Sequence, residues 1–221
     1  MQQSESTKPF RTASSGQVYR TKRYGGFFQR LVDRREQRLA ARLLAIPYAG
    51  CNGHIADIPC GYGRFFPLLR SRGFTVSAMD QSQAMADLYR ESAGFRPEQD
   101  NAEQADILQP LPLQAAGAGR ALCVRLFQHL HHGELRVAAL RTLGANQRQI
   151  VMTYYDDGCL HYWTKRAAMW LQGKKVRVKM IPRATFESEV AEAGLKIIKR
   201  IKLLPGLHAQ TWVVLAPADP V

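Results

Sequence analysis

The sequence predicts an α/β fold: a mostly parallel sheet of seven strands, helices on both faces, and an antiparallel strand pair at the C-terminal end. Three observations predict it. Short apolar runs alternate with segments of helical periodicity through most of the chain, as strand–helix–strand units do. The first such run, "HIADI", leads into a turn with two glycines one residue apart, "PCGYG", which implies a sharp bend or a close backbone approach. The last two apolar runs, "KIIKRIKLL" and "QTWVVLAP", are separated only by "PGLHA" and so pair as a hairpin at one edge of the sheet.

The elements follow in order. Residues 1–18 are polar and read as a flexible tail, and residues 19–221 as one domain. A helix is expected over 27–45, with an apolar stripe of Phe28, Leu31, Val32, Leu39 and Leu43. Arg30, Arg34, Arg38 and Arg42 recur every fourth residue and make one basic face of it, for solvent or for a ligand. "HIADI" is the first strand, and "RFFPLLRSRG" starts a helix with Pro67 in its first turn and Gly73 as its stop. "FTVSAMD" is a strand ending at Asp80, and "SQAMADLYRES" a helix with Ser82 at its N-cap. The order then requires a third strand near Asn101–Ala105, within a polar stretch. "RALCVRLF", "GELRVAALRTLG" and "RQIVMTYYD" read as strand, helix and strand, and "PRATFESEVAEAGL" as the helix before the hairpin.

Thirty-one Lys and Arg against eighteen Asp and Glu leave a net charge of +13, which favours anionic partners. No apolar run approaches the roughly 18 residues of a membrane span, and the N-terminus has no apolar signal core. The four cysteines, at 51, 60, 123 and 159, show no paired short spacing. That argues against a zinc site or disulfide framework and for a cytoplasmic setting.

In an open α/β sheet the ligand lies beyond the carboxyl ends of the strands, where the strand order reverses. Gly61 and Gly63 stand at that place. Asp80 ends the second strand, where a carboxylate can accept from both hydroxyls of a ribose, and Asp106 follows the third, placed to meet an adenine edge. A dinucleotide loop wants a small residue where this chain has Phe66. Asp57, four residues before Gly61, suits the cationic amino group of a methionine moiety better than a pyrophosphate. The loop therefore points to S-adenosylmethionine.

"IADIPCGYGRFFPLL" resembles the first signature of the class I S-adenosylmethionine-dependent methyltransferases, in a bacterial variant with Pro-Cys before the first glycine. "VSAMDQSQAMADLYR", "AEQADILQPLP" and "RLFQHLHHGELRVAALRTL" resemble the segments that follow it in that family. The first 45 residues resemble the leader of methyltransferases found with lipopolysaccharide-core kinases. The resemblance implies a Rossmann-like sheet. It also implies cofactor contacts from Asp57, Pro59, Cys60, Gly61, Gly63, Asp80, Gln81, Met85, Asp106, Ile107 and Arg125. Pro59 stands where the family usually has glycine.

A base is needed only for a hydroxyl or protonated amine acceptor. By the same resemblance, His129, in "QHLHHG", faces the pocket as that base, or else packs at a helix start and orients the loop. Tyr154 and Tyr155 end the fifth strand, Tyr154 as a catalytic candidate and Tyr155 as a wall of the acceptor site. No carboxylate accompanies the three histidines, so no metal is expected. Residues 158–183 carry seven Lys and Arg and no acid, interleaved with aromatics. This basic insertion, or lid, holds the acceptor candidates His161, Lys174, Lys175 and Arg177. Such a mixture suits a phosphorylated glycan or lipid headgroup, with peripheral membrane contact, or nucleic acid. A small-molecule or glycan-lipid acceptor is favoured over RNA, because "RLFQ" stands where base methyltransferases carry a proline-tyrosine motif. The alternatives are an RNA methyltransferase and a basic binding protein that keeps the fold without turnover.

Overall fold

The computed structural model of the chain describes residues 26–49, 51, 53–112, 118–159 and 179–218. Helix α1 spans Phe27–Leu44. Strand β1 (His54–Asp57) leads through the glycine loop into α2 (Phe66–Ser71), then β2 (Thr75–Asp80), α3 (Gln83–Arg90) and β3 (Asn101–Gln104). Strand β4 (Gly119–Cys123) is followed by a 3-10 turn at Phe127–His129, α4 (Gly133–Asn146) and β5 (Gln147–Tyr155). Helix α5 (Arg183–Glu192) and strands β6 (Leu195–Leu204) and β7 (His208–Pro217) close the described chain.

The sheet has seven strands in the order β3-β2-β1-β4-β5-β7-β6. Strands β1 to β5 are mutually parallel, and β7 runs antiparallel between β5 and β6. The expected hairpin is therefore present, with β6 as the edge. The chain builds outward from β1 in one direction and from β4 in the other. The crevice between β1 and β4 is thus the switch point, at their carboxyl ends.

Strand β3 forms from a polar segment because it is the opposite edge and buries only Ala102 fully. Asp100 fixes its approach by accepting from the backbone N–H of Val76 at 3.0 Å and of Arg96 at 3.1 Å. Strand β4 is shorter than its apolar run suggests. It stops at Cys123, and two residues later Arg125 adopts φ +63°, a left-handed conformation that no strand continues through.

Each face of the sheet carries its own core. Helices α4 and α5 cover one, through Ala139, Leu140, Leu143, Phe186 and Val190. The buried pair of Arg136 and Glu189 joins these two helices, with contacts of 2.9 and 2.5 Å. Helices α1, α2 and α3 cover the other face, through Leu39, Leu43, Phe66, Leu69 and Tyr89. Helix α1 does not use its whole expected stripe. Phe28 and Leu31 are 52% and 44% exposed, and the buried face is Val32, Glu36, Leu39, Ala40 and Leu43. An acid thus sits in the middle of an apolar face. Arg30, Arg34, Arg38 and Arg42 are exposed, as the four-residue spacing predicts. Among the described residues no helix is long and apolar enough to cross a membrane.

Candidate active site

Three carboxylates stand at or just beyond the carboxyl ends of neighbouring strands. Asp57 ends β1, Asp80 ends β2, and Asp106 lies two residues after β3. Asp57 is the deepest, 2% exposed, and burial pushes its carboxyl up to about 7 against the lowering effects of the Tyr89 hydroxyl and Arg64. Tyr89 reaches over from α3 and donates to Asp57 Oδ2 at 3.3 Å. Asp80 accepts from the backbone N–H of Gly61 at 3.0 Å and of Ser82 at 2.9 Å. It therefore ties the glycine loop to the start of α3. Ser82 holds the N-cap position, but its side chain makes no capping bond. Asp106 accepts from Leu108 N–H at 3.0 Å and from the exposed Gln81 amide at 3.3 Å. Asp80, Gln81 and Asp106 thus form a rim, with Asp57 buried beneath it.

The two glycines have different surroundings. Both have positive φ, +53° at Gly61 and +80° at Gly63. A side chain at Gly61 would meet nothing within 4 Å, so this glycine presents bare backbone to open space beside Asp80. At Gly63 a Cβ would lie 2.5 Å from Ser92 Oγ and 3.3 Å from the Tyr89 ring. The missing side chain at Gly63 therefore makes room for α3 and its C-terminal end, and so for the tyrosine that meets Asp57. Close approach from the open side belongs to Gly61. A sugar edge and a cationic amine fit this arrangement: bare backbone at Gly61, a rim carboxylate at Asp80, and a deep carboxylate at Asp57.

Other expected contacts are placed differently. Cys60 is buried in the apolar cluster that contains Phe65 and Tyr89, and burial raises its thiol well above the usual range. Its side chain is packing. Met85 and Ile107 are buried at 4% and 6% exposure, and Pro59, half-buried, follows a cis peptide bond. Arg125 departs most from expectation. Its guanidinium is engaged by Glu36 of α1, Nε to Oε1 at 2.9 Å and Nη2 to Oε2 at 2.7 Å. Arg64, directly after Gly63, reaches the same carboxylate at 2.5 Å and Asp33 at 2.7 Å. Burial works against the charge on Glu36, but the two guanidiniums outweigh it and hold the carboxyl below its usual range.

His129 lies in the 3-10 turn after β4, half-buried, with its Nε2 3.3 Å from the amide nitrogen of Gln128. That amide also donates to the Arg125 carbonyl at 2.7 Å. Tyr154 does not face this edge. It is fully buried and stacked on Phe186 of α5, ring centroids 3.9 Å apart. Burial pushes its phenol up to about 12, and the charges around it are Arg200, Asp156, Glu187 and Arg183, all on the hairpin and α5 side. Tyr154 is a core residue because side chains alternate along β5, and its turn falls on the α5 face. Tyr155 points to the other face and meets His208 edge-on at 5.8 Å. His161, Lys174, Lys175 and Arg177 lie outside the described residues. The chain re-enters at Lys179, whose N–H donates to the Gln128 carbonyl at 3.0 Å, and Ile181 N–H donates to the Tyr155 carbonyl at 2.8 Å. This end of the basic segment is thus anchored at the carboxyl edge of β4 and β5.

Glu36, Arg64 and Tyr89 are the residues that pattern reading missed. Glu36 carried a signal, as a lone acid on an apolar helical stripe. Arg64 carried none beyond standing next to Gly63, and Tyr89 carried none.

Residues 55–145 match the family described as a methyltransferase domain, a span that runs from β1 through most of α4. No curated protein matches the sequence significantly. Among solved structures, magnesium protoporphyrin IX methyltransferase from Synechocystis PCC 6803, with bound SAH, superposes with a TM-score of 0.76 at 15% identity, covering 96% of this chain and 99% of that one. The PH0226 protein of Pyrococcus horikoshii OT3 gives 0.67 at 17% identity, covering 91% and 98%. An O-methyltransferase from neocarzinostatin biosynthesis, in complex with S-adenosyl-L-homocysteine and 1,4-dihydroxy-2-naphthoic acid, gives 0.58 at 18% identity, covering 93% and 69%. The matched segment is similar to a methyltransferase domain, and the sheet with its closing hairpin has the fold of these solved structures.

Proposed function

We propose that this S-adenosylmethionine-dependent methyltransferase passes its methyl group to an anionic acceptor, a phosphorylated small molecule or glycan-lipid. One observation carries the choice of acceptor. Residues 158–183 hold seven cations and no acid, and the described end of that stretch is hydrogen-bonded to Gln128 and Tyr155 beside the site. A run of that charge joined to the edge of a site would favour negative groups there.

The cofactor, when bound, supplies an activated methyl on a positively charged sulfur, so the protein mainly positions and shields. Asp57 and Tyr89 form the polar floor for an ammonium group. Asp80 offers its carboxylate to ribose hydroxyls while its two backbone bonds keep it aimed. Gln81 and Asp106 flank the adenine end. His129 stands on the acceptor side, as a base for a hydroxyl acceptor or as the residue that shapes the loop. Lys174, Lys175, Arg177, His161 and Tyr155 are assigned to the acceptor.

The test is incubation with methyl-labelled cofactor and separated lipid, glycan, RNA and small-molecule fractions of bacterial cells. The label should enter a phosphorylated lipid, glycan or small molecule. Changing Lys174, Lys175 and Arg177 together to Glu should then spare cofactor binding and cut acceptor use by at least about tenfold. Label in RNA, with log K falling by about 0.7–0.9 per neutralised phosphate against log salt, would overturn the acceptor class. Full turnover of the triple variant at low salt would return the basic segment to plain solvent exposure.

A further inference from the structure

We propose that Glu36 is a positioning residue for the cofactor site: it holds the glycine loop and the loop after β4 in register from outside the crevice. The proposal rests on the cofactor reading above. Glu36 is fully buried in the middle of the α1 face that packs on the sheet. Its side-chain ion pairs among the described residues are with arginines and not with any of the three crevice acids. What it holds are the two walls. Arg64, from the glycine loop, contacts Oε2 at 2.5 Å, and Arg125, from the loop after β4, contacts Oε1 at 2.9 Å and Oε2 at 2.7 Å. These two loops leave β1 and β4, the strands on either side of the switch point. One carboxylate therefore ties together the two sides of the crevice.

Both loops carry the tie inward. On one side, Arg64 follows Gly63, and its carbonyl accepts the Gln37 amide of α1 at 3.1 Å. Helix α1 thus grips that residue by side chain and backbone. On the other side, Arg125 is held at φ +63°, a conformation that persists in a non-glycine residue only when its surroundings impose it. Thr153 receives its N–H at 2.8 Å, and its carbonyl receives the Gln128 amide at 2.7 Å. Gln128 stands beside His129 and accepts Lys179 N–H on its own carbonyl. The path from Glu36 reaches the cofactor loop in one step and the His129 turn in two.

A buried ion triad adds little stability over apolar residues of equal volume, so fixed geometry is what this one supplies. The molecule contains its own control. Arg136 and Glu189 make a buried bidentate pair of the same chemistry between α4 and α5, on the other face of the sheet.

The experiment compares Glu36→Gln with Glu189→Gln. Urea unfolding measures stability, and calorimetry with S-adenosylhomocysteine at 25 °C measures affinity on folded protein. Both variants should lose stability. Only Glu36→Gln should bind the probe more weakly, by about tenfold, within the range typical of coupled sites. Glu189→Gln should stay within about twofold of the wild type. Wild-type affinity in Glu36→Gln, or equal loss in both variants, overturns the proposal. If Glu36→Gln does not fold, Gln37→Ala decides. It removes only the amide bond to the Arg64 carbonyl and should weaken the probe by about threefold, and unchanged affinity overturns the proposal. A wild-type protein that does not bind the probe overturns the cofactor reading itself, before any variant is compared.

Discussion

Replacing Asp57 by asparagine should make the cofactor-free protein more stable, and by an amount that grows with pH. Asp57 is 2% exposed, and burial lifts its carboxyl from an ordinary 3.8 to about 7. In the unfolded chain the group ionises near its ordinary value. Between those two values the folded protein holds a proton that the unfolded chain has lost. Folding therefore takes up a proton in that window, and stability falls as pH rises through it. Above the folded value the loss is complete. At about 1.4 kcal/mol per pKa unit, Asp57 should reduce stability by roughly 1.5 kcal/mol at pH 5 and roughly 4 kcal/mol at pH 8. Water entry and local relaxation make these upper values.

Asparagine has nearly the same shape and never ionises, so the variant lacks this pH-dependent loss. Its amide Oδ1 can accept from Tyr89 in place of the carboxylate oxygen, and the constant offset that the amide NH2 adds does not move with pH. The assay is urea unfolding of both proteins at half-unit steps from pH 5 to pH 8, read as the difference between them. The other titrating groups cancel in that difference. The gap should widen by about 1–3 kcal/mol over the range, in favour of Asp57→Asn. S-adenosylhomocysteine binding should fall in the variant at the same time, because in the proposed reading the charge that costs stability is the one that meets the ammonium. A gap that stays constant with pH would refute the burial of an ionisable Asp57 and the use of its charge.

The two glycines should separate by assay. Gly63→Ala should lose about 2–3 kcal/mol in urea unfolding, from a left-handed backbone and the Ser92 and Tyr89 contacts together, whereas Gly61→Ala should lose about 1–2 kcal/mol from the backbone alone. Calorimetry with S-adenosylhomocysteine should show the greater affinity loss in Gly61→Ala; the reverse order would mean that Gly63 faces the ligand. Tyr154→Phe should keep full methyl transfer and gain up to about 1 kcal/mol, since its buried hydroxyl has no partner among the described residues. A hundredfold drop in turnover would restore a chemical role to that phenol.

What could be read from the chain and what could not divide along a physical line. Strand and helix patterns are local, so β1 through α4 and the closing hairpin were legible from periodicity and turn chemistry, except β3, a polar strand that only the order of the elements required. Asp57 and Asp80 were legible as candidates because each stands where an apolar run stops, and Asp106 only from its place after the third strand that the order of elements requires. The errors came where a side chain's role depends on a distant partner. Arg125 looks from the sequence like a cofactor contact after β4, but its carboxylate partner is 89 residues earlier, and Arg64 finds the same group from 28 residues away. Tyr154 and Tyr155 are equivalent in composition, and only the pairing of β5 with β7 and the packing of α5 decide which one is core. Phe28 and Leu31 fit the helical stripe, but both are exposed, and the buried face of α1 begins at Val32. The same reasoning explains Glu36. An acid on an apolar stripe looks like an error in the pattern until two arginines from opposite walls of the crevice are brought to it. The departures from local rules, Glu36 in the apolar face and Arg125 at positive φ, meet in one ion triad. Their meeting beside the glycine loop is what a site that must hold its shape without a ligand would need.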